Sequence, residues 1–138
     1  MAPIQVGRFD QVKGADTLLI EVDTGGLTTL VESFRALAEG AQERVEFHKL
    51  PGVIPHGGTT LIGEVSARDV GLRELRPGQL IWRRSLDGWT DLADKLAALD
   101  GVSSGHQYLD GPADNIQVVA AIGEYGESWW SEHGERST

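Results

Sequence analysis

The sequence predicts an α+β fold, a two-layer sandwich. Tandem duplicated β-α-β-β units form a largely antiparallel sheet with two helices on one face, related by a pseudo-two-fold axis. Three observations predict it. Residues 18–37, LLIEVDTGGLTTLVESFRAL, align without a gap on residues 80–99, LIWRRSLDGWTDLADKLAAL. Leu18 meets Leu80, Gly26 meets Gly88, Leu30 meets Leu92, and Leu37 meets Leu99. The tripeptide Ile-Gly-Glu then follows each block, at Ile62–Glu64 and Ile122–Glu124. Lastly, a helix with one apolar stripe must cover a sheet, and a unit this small buries its core poorly alone. The expected organisation is a single domain over residues 1–138. Unit one spans about 18–65, a connector 66–79, unit two about 80–125, and a tail 126–138.

Each element has a local cause. Ile4–Val6 predicts a short leading strand, and Leu18–Val22 is an apolar run that reads as a buried strand. Leu27, Leu30, Val31, Phe34, Leu37 and Ala38 recur at helical spacing. Thr29 with Glu32 fits a capping box, Thr24 is an equal candidate cap, and Gly40 supplies the stop. Val45 and Phe47 alternate with polar neighbours as in a half-buried strand. In the second unit Asp87 is the expected cap. Trp89, Leu92, Ala93, Leu96 and Leu99 form the stripe, and Gly101 ends it. Thr59–Val65 and Ile116–Ile122 supply the last strand of each unit. Pro77-Gly78 marks a turn.

Composition bounds the function. The chain has 138 residues, a net charge of -9 and no cysteine. Disulfides, thiol catalysis and cysteine-bound metals are excluded. An acidic chain repels phosphate backbones, so no nucleic-acid partner is expected. No membrane partner is expected either, because no apolar stretch reaches spanning length, and no signal peptide is read at the start. These features fit a cytoplasmic protein whose charge suits a basic protein partner.

The repeated strand–helix–strand–strand order resembles the duplicated modules of gyrase-inhibitor-like effector-binding domains. The likeness covers element order across most of the chain and no diagnostic residues. It implies a small-molecule cleft between the halves. Paired units of this kind also occur in the metal-dependent glyoxalase and extradiol dioxygenase superfamily, whose unit carries one more strand.

The candidate ligand site comprises Trp82, His106, Tyr108, Glu64, Glu124 and Tyr125, at the seam between the units. Glu64 and Glu124 could act as acid and base if their environments differ. His48 and His106 fall near equivalent strand positions, whereas His56 and His133 belong to no ligand motif. Glu21 and Arg83 hold equivalent positions with opposite charge and are expected to pair. Arg68, Arg73, Arg76, Arg83 and Arg84 could form an anion pocket, or a solvated connector balanced by Asp69 and Glu74. Trp129 and Trp130 are adjacent, so on a regular element they face different ways. They are candidate partner-binding residues, with docking of the tail onto its own domain as the plainer use.

No phosphate loop, nucleophile elbow or metal-ligand spacing is present, so no catalytic residue, metal or cofactor is assigned. The favoured reading is a binding protein that recognises another protein, in an immunity- or inhibitor-type role. The alternative is a small-ligand domain with its pocket between the units. An unrecognised enzyme ranks third. An interaction protein should expose an acidic or aromatic patch, and a ligand binder should hold a cavity at the seam. An enzyme should bring two of His48, His106, Glu64 and Glu124 within hydrogen-bond reach.

Overall fold

Strands rich in β-branched and leucine residues alternate with two helices of matching apolar stripe, and their inner faces meet in a common core. The computed structural model describes residues 3–12, 15–111, 114 and 116–133. The first half holds β1 (Ile4–Val12), β2 (Ala15–Val22), α1 (Thr24–Ala38), β3 (Arg44–Glu46), β4 (Val53–Pro55) and β5 (Thr60–Val65). The second half holds β6 (Gly71–Arg76), β7 (Gln79–Arg84), α2 (Leu86–Ala97), β8 (Gly105–Tyr108) and β9 (Gln117–Ile122). The last helix is α3 (Gly126–His133). The polar end of the tail, 134–138, lies outside the described residues.

Among the described residues the strands form two sheets, where one was expected. The first has the order β4-β1-β2-β9-β8 and the second β3-β5-β7-β6. The leading strand is far longer than Ile4–Val6, and the connector contains β6, which pairs antiparallel with β7. Each half therefore opens with a hairpin. After each helix the chain crosses to the other half's hairpin, so β2 pairs parallel with β9 and β5 pairs parallel with β7, while β4 stays with its own half's hairpin and pairs parallel with β1. One core joins residues of both sheets and both long helices, including Ile20, Phe34, Leu61, Trp82, Trp89 and Val118. The rings of Phe34, Phe47, Trp82 and Trp89 meet edge to face or tilted at 5.3–6.2 Å between centroids.

The helix starts differ from expectation in instructive ways. Asp23, not Thr24 or Thr29, caps α1 and accepts from the Gly26 N–H at 2.7 Å. Ser85, not Asp87, caps α2 and accepts from the Gly88 N–H at 3.0 Å. Each glycine also leaves room for the oxygen that receives the cap residue's own N–H. Asp23 N–H donates to the Pro3 carbonyl at 2.9 Å, and a β-carbon on Gly26 would stand 2.0 Å from that oxygen. Ser85 N–H donates to Asp69 Oδ1 at 2.9 Å, and a β-carbon on Gly88 would stand 2.1 Å from it. Close approach, rather than backbone flexibility, explains the matched glycines.

The Ile-Gly-Glu match does not mark equivalent places. Ile62, Gly63 and Glu64 lie inside β5, opposite Ile81, Trp82 and Arg83. Ile122 is the last residue of β9, and Gly123 turns the chain beyond it at φ +69°. Val45 belongs to the short β3, while Phe47 opens a 3-10 turn, Phe47–Lys49, instead of continuing the strand.

A second, smaller apolar cluster lies on the other face of the first sheet. Phe9, Leu19, Val119 and Ala121 form it, and α3 covers it with Trp130. Among the described residues no helix is long and apolar enough to cross a membrane.

Candidate functional site

The predicted ligand residues divide among three places. Trp82 is 0% exposed in the main core and cannot meet a ligand there. Glu64 lies on the second sheet, 3.0 Å from Arg83 Nε and 3.5 Å from Arg44 Nε. His106, Tyr108, Glu124 and Tyr125 belong to the end of the first sheet, around β8 and the entry to α3.

Of the four acids and histidines expected to converge in an enzyme, His106 and Glu124 do so. Nδ1 of His106 lies 2.9 and 3.0 Å from the two oxygens of Glu124 and donates to the carboxylate. The imidazole meets the Tyr108 ring edge to face at 5.2 Å. This is a base held by an orienting carboxylate, but among the described residues no hydroxyl hydrogen-bonds the ring. His48 is elsewhere, in the 3-10 turn after β3, with Nδ1 against the Leu61 backbone at 3.1–3.2 Å. His56 Nε2 meets Gln5 Oε1 at 2.7 Å, and His133 Nδ1 donates to the Trp129 carbonyl at 2.8 Å.

Glu21 and Arg83 do not pair. Arg83 is taken by Glu64 within its own sheet. Glu21 is 7% exposed and accepts three N–H groups: Tyr125 N at 2.7 Å, Gly126 N at 3.1 Å and Trp130 Nε1 at 2.7 Å. These bonds satisfy the carboxylate and fasten the start of α3 to the sheet. Trp130, 2% exposed, then packs on Phe9 and stacks on His56 at 4.5 Å. Trp129 is half-buried between Phe9, Tyr125 and His133. The tryptophan pair thus docks the tail onto its own sheet.

The arginines do not gather into an anion pocket. Arg84 reaches Asp114 at 3.5 Å, and Arg73 donates to its neighbour's carbonyl, Leu72 O. Their expected counter-charges serve other groups. Asp69 accepts from Ser85, and Glu74 takes Arg8 of the other sheet at 3.0–3.2 Å. Burial works to lower the Arg8 pKa, but the hydrogen bonds to Glu74 and Asp10 and the charges of both carboxylates together raise it. Lys49 donates to Glu46 and holds that carboxyl below its ordinary value.

A cleft of about 300 Å³ opens at the carboxyl ends of the parallel strands β2 and β9, between α1 and α3. Its walls carry Glu21, Asp23 and Glu127 beside apolar Val22, Val102 and Ile122, and among the described residues no Lys or Arg lines it. Residues of the first half and of the second half meet across it. Carboxyl ends of parallel strands favour ligand clefts because loops diverge there.

Two features were missed. The Glu21 attachment of α3 has no local signal, since its partners lie more than 100 residues away. The charge distribution, by contrast, is open to inspection. From Leu96 to Glu135 the sequence carries Asp100, Asp110, Asp114, Glu124, Glu127, Glu132 and Glu135, with no Lys or Arg. That segment builds β8, β9, α3 and one wall of the cleft. Among the described residues no three His, Asp or Glu side chains converge as a metal site. No protein-family model, curated protein or solved structure matches this chain.

Proposed function

We propose that the chain is a recognition protein for a basic protein partner, in an immunity- or inhibitor-type role, and that its contact surface is the pole formed by β8, the turns beside it and α3. The sequence across 96–135 has seven carboxylates and no Lys or Arg. The exposed Asp100, Glu124, Glu127 and Glu132 among them carry this reading, whereas the Asp114 side chain is buried against Arg84. Such a pole attracts a cationic surface and raises its association rate, while the charges elsewhere are more evenly mixed. The direct test is capture from native lysate, identification by mass spectrometry, and affinity measurement against the purified partner. A basic partner should bind less tightly as salt rises. Asp100→Asn, Glu127→Gln and Glu132→Gln together should weaken it about tenfold, roughly 1.4 kcal/mol. Binding indifferent to salt and to these substitutions would reject the reading.

The cleft between β2 and β9 favours a second reading, a small ligand held between the halves. Its size is at the low end for ligand pockets, and its acids suit a cationic head beside an apolar stem. Amide shifts at Gly123 and Thr24 on titration with agmatine would support it. The lack of any saturable shift would remove it.

We also infer that the halves descend from one duplicated unit, now read as β-β-α-β-β, related by a pseudo-two-fold axis within a single domain. Two observations support this. With β4 set aside, the strands β1-β2-β9-β8 of the first sheet follow the same plan as β6-β7-β5-β3. Both long helices start at matched positions, with the cap N–H and the third-position glycine used alike.

A further inference from the structure

We infer that the outer edge of β8 is the place where the basic partner adds an extended segment as a further strand of the first sheet. This rests on the recognition reading above and names its mode. The edge is defined by register. Leu109 N–H donates to Val118 O at 2.8 Å, and the pairing of β8 with β9 runs unbroken from Gly105↔Ile122 to Tyr108↔Val119. Backbone groups of alternate residues in an antiparallel strand point to opposite sides. Gly105 and Gln107 therefore face β9, while the N–H and C=O of His106 and Tyr108 point outward. Among the described residues none hydrogen-bonds those outward groups.

The remaining edges are guarded, and β8 is not. β4 has three residues and ends in Pro55, which has no N–H. β3 also has three residues, with Arg44 and Glu46 at its ends, and passes straight into a 3-10 turn. On β6 the outward Leu72 N–H is already taken by Asp114 Oδ1 at 2.8 Å, and the strand bulges before Arg76. β8 reads Gly-His-Gln-Tyr, with no proline, lysine or bulge. Tyr108 is 46% exposed and can cover a side chain on the incoming strand.

Charge selects the occupant. A second copy would bring another net charge of -9 against this pole. A basic segment is attracted by Asp100, Asp110 and Glu124, all in or beside the β8–β9 hairpin. Two outward residues offer four backbone hydrogen bonds, a small number for one strand. The acids around them are needed for affinity as well as for choice of partner.

The test uses the full chain, labelled with nitrogen-15, and the peptide acetyl-Lys-Val-Lys-Val-Lys-Val-amide. Saturable shifts are expected at the His106 and Tyr108 amides. Methylating alternate peptide nitrogens should weaken binding about tenfold, as should Tyr108→Pro, whose lost N–H is outside the β8–β9 ladder. Tyr108→Ala keeps that N–H and should retain most of the affinity, and unchanged tryptophan emission and urea midpoints certify both folds. Equal binding of the methylated peptide overturns strand addition while leaving the acidic-pole reading intact. So does a lysate partner whose affinity ignores Tyr108→Pro. Dimerisation in sedimentation, with shifts at the same amides, overturns the choice of occupant. Failure of the peptide and of every basic protein to bind rejects both proposals.

Discussion

Replacing Gly26 by Ala, beside the same change at Gly25, tests the account of the helix starts with opposite signs one residue apart. Ordinary helix propensity favours Ala over Gly by about 1 kcal/mol at interior positions, less in the first turn. At Gly25 the nearest atom to a new β-carbon is Asp23 Oδ1 at 3.6 Å, an ordinary contact. Gly25→Ala should be neutral or stabilising by about 0.5 kcal/mol. At Gly26 the new carbon would stand 2.0 Å from the Pro3 carbonyl oxygen and 2.6 Å from its carbon. Both are backbone atoms, so the chain before β1 must move. That move stretches the Asp23 N–H to Pro3 O bond and disturbs buried Ile4, whose side chain is 2.9 Å away. Overpacking costs about 1–3 kcal/mol and the weakened hydrogen bond about 1. After the helix gain, a net loss of about 2 kcal/mol remains, or roughly 6–10 °C in Tm for a domain of this size. Urea unfolding followed by tryptophan emission measures both variants. Equal effects at the two glycines, or a stabilised Gly26→Ala, would refute the close-approach argument.

Three other outcomes follow from the structure. Glu21→Gln keeps a single oxygen for three donors, so it should loosen α3, shift Trp130 emission to the red, and lower stability by about 1–2 kcal/mol in urea. Arg8→Met should cost about 1 kcal/mol by removing the bond between sheets, with Glu74 kept partly satisfied by the Gly78 N–H at 2.9 Å. The Glu46 carboxyl should titrate below the usual Glu range by carbon-13 NMR, and Lys49→Met should return most of the shift. Because the folded pKa is depressed, this group supports the fold above the unfolded pKa and loses that support as pH falls through the folded one.

Local patterns exposed some of this architecture to sequence reasoning, and non-local ones hid the rest. The stripes of α1 and α2 are periodic, so the helices and their buried Leu30, Phe34, Leu92 and Leu96 were legible. β6 was not, because Leu72, Arg73, Glu74 and Leu75 do not alternate cleanly and Leu75 is 64% exposed. Two sheets could not be told from one, since the choice rests on which strands pair across halves. The shared Ile-Gly-Glu misled for a related reason. Glycine serves close ring packing at Gly63, where a β-carbon would meet Phe47 at 2.5 Å, and a left-handed turn at Gly123. One residue type met two physical demands, and identity in sequence did not carry identity of place. His106 and Glu124 were singled out and do meet, whereas Trp82 was chosen for its chemistry and is held entirely by the core.

The expected pairing of Glu21 with Arg83 was wrong, yet the difference between these residues accounts for the unlike outer faces of the two sheets. Each stands on the second strand of a hairpin, opposite the parallel strand from the other half, with Ala121 facing Glu21 and Glu64 facing Arg83. A carboxylate at that position can accept N–H groups from the start of a helix, and an alanine beside it leaves an apolar floor for Trp130. A guanidinium has no acceptor, so the same place in the second sheet cannot hold a helix start. It forms a charged row instead, from Arg44 through Glu64 to Arg83. The first sheet thereby gains α3, and with α3 come the tail's acids and one wall of the cleft. Acidic surface, cleft and unguarded β8 then fall at one end of the molecule. Two causes meet there: Glu21 fixes the start of α3 and so places its acids, and the pairing of β9 with β2 carries β8 to the edge of the same sheet.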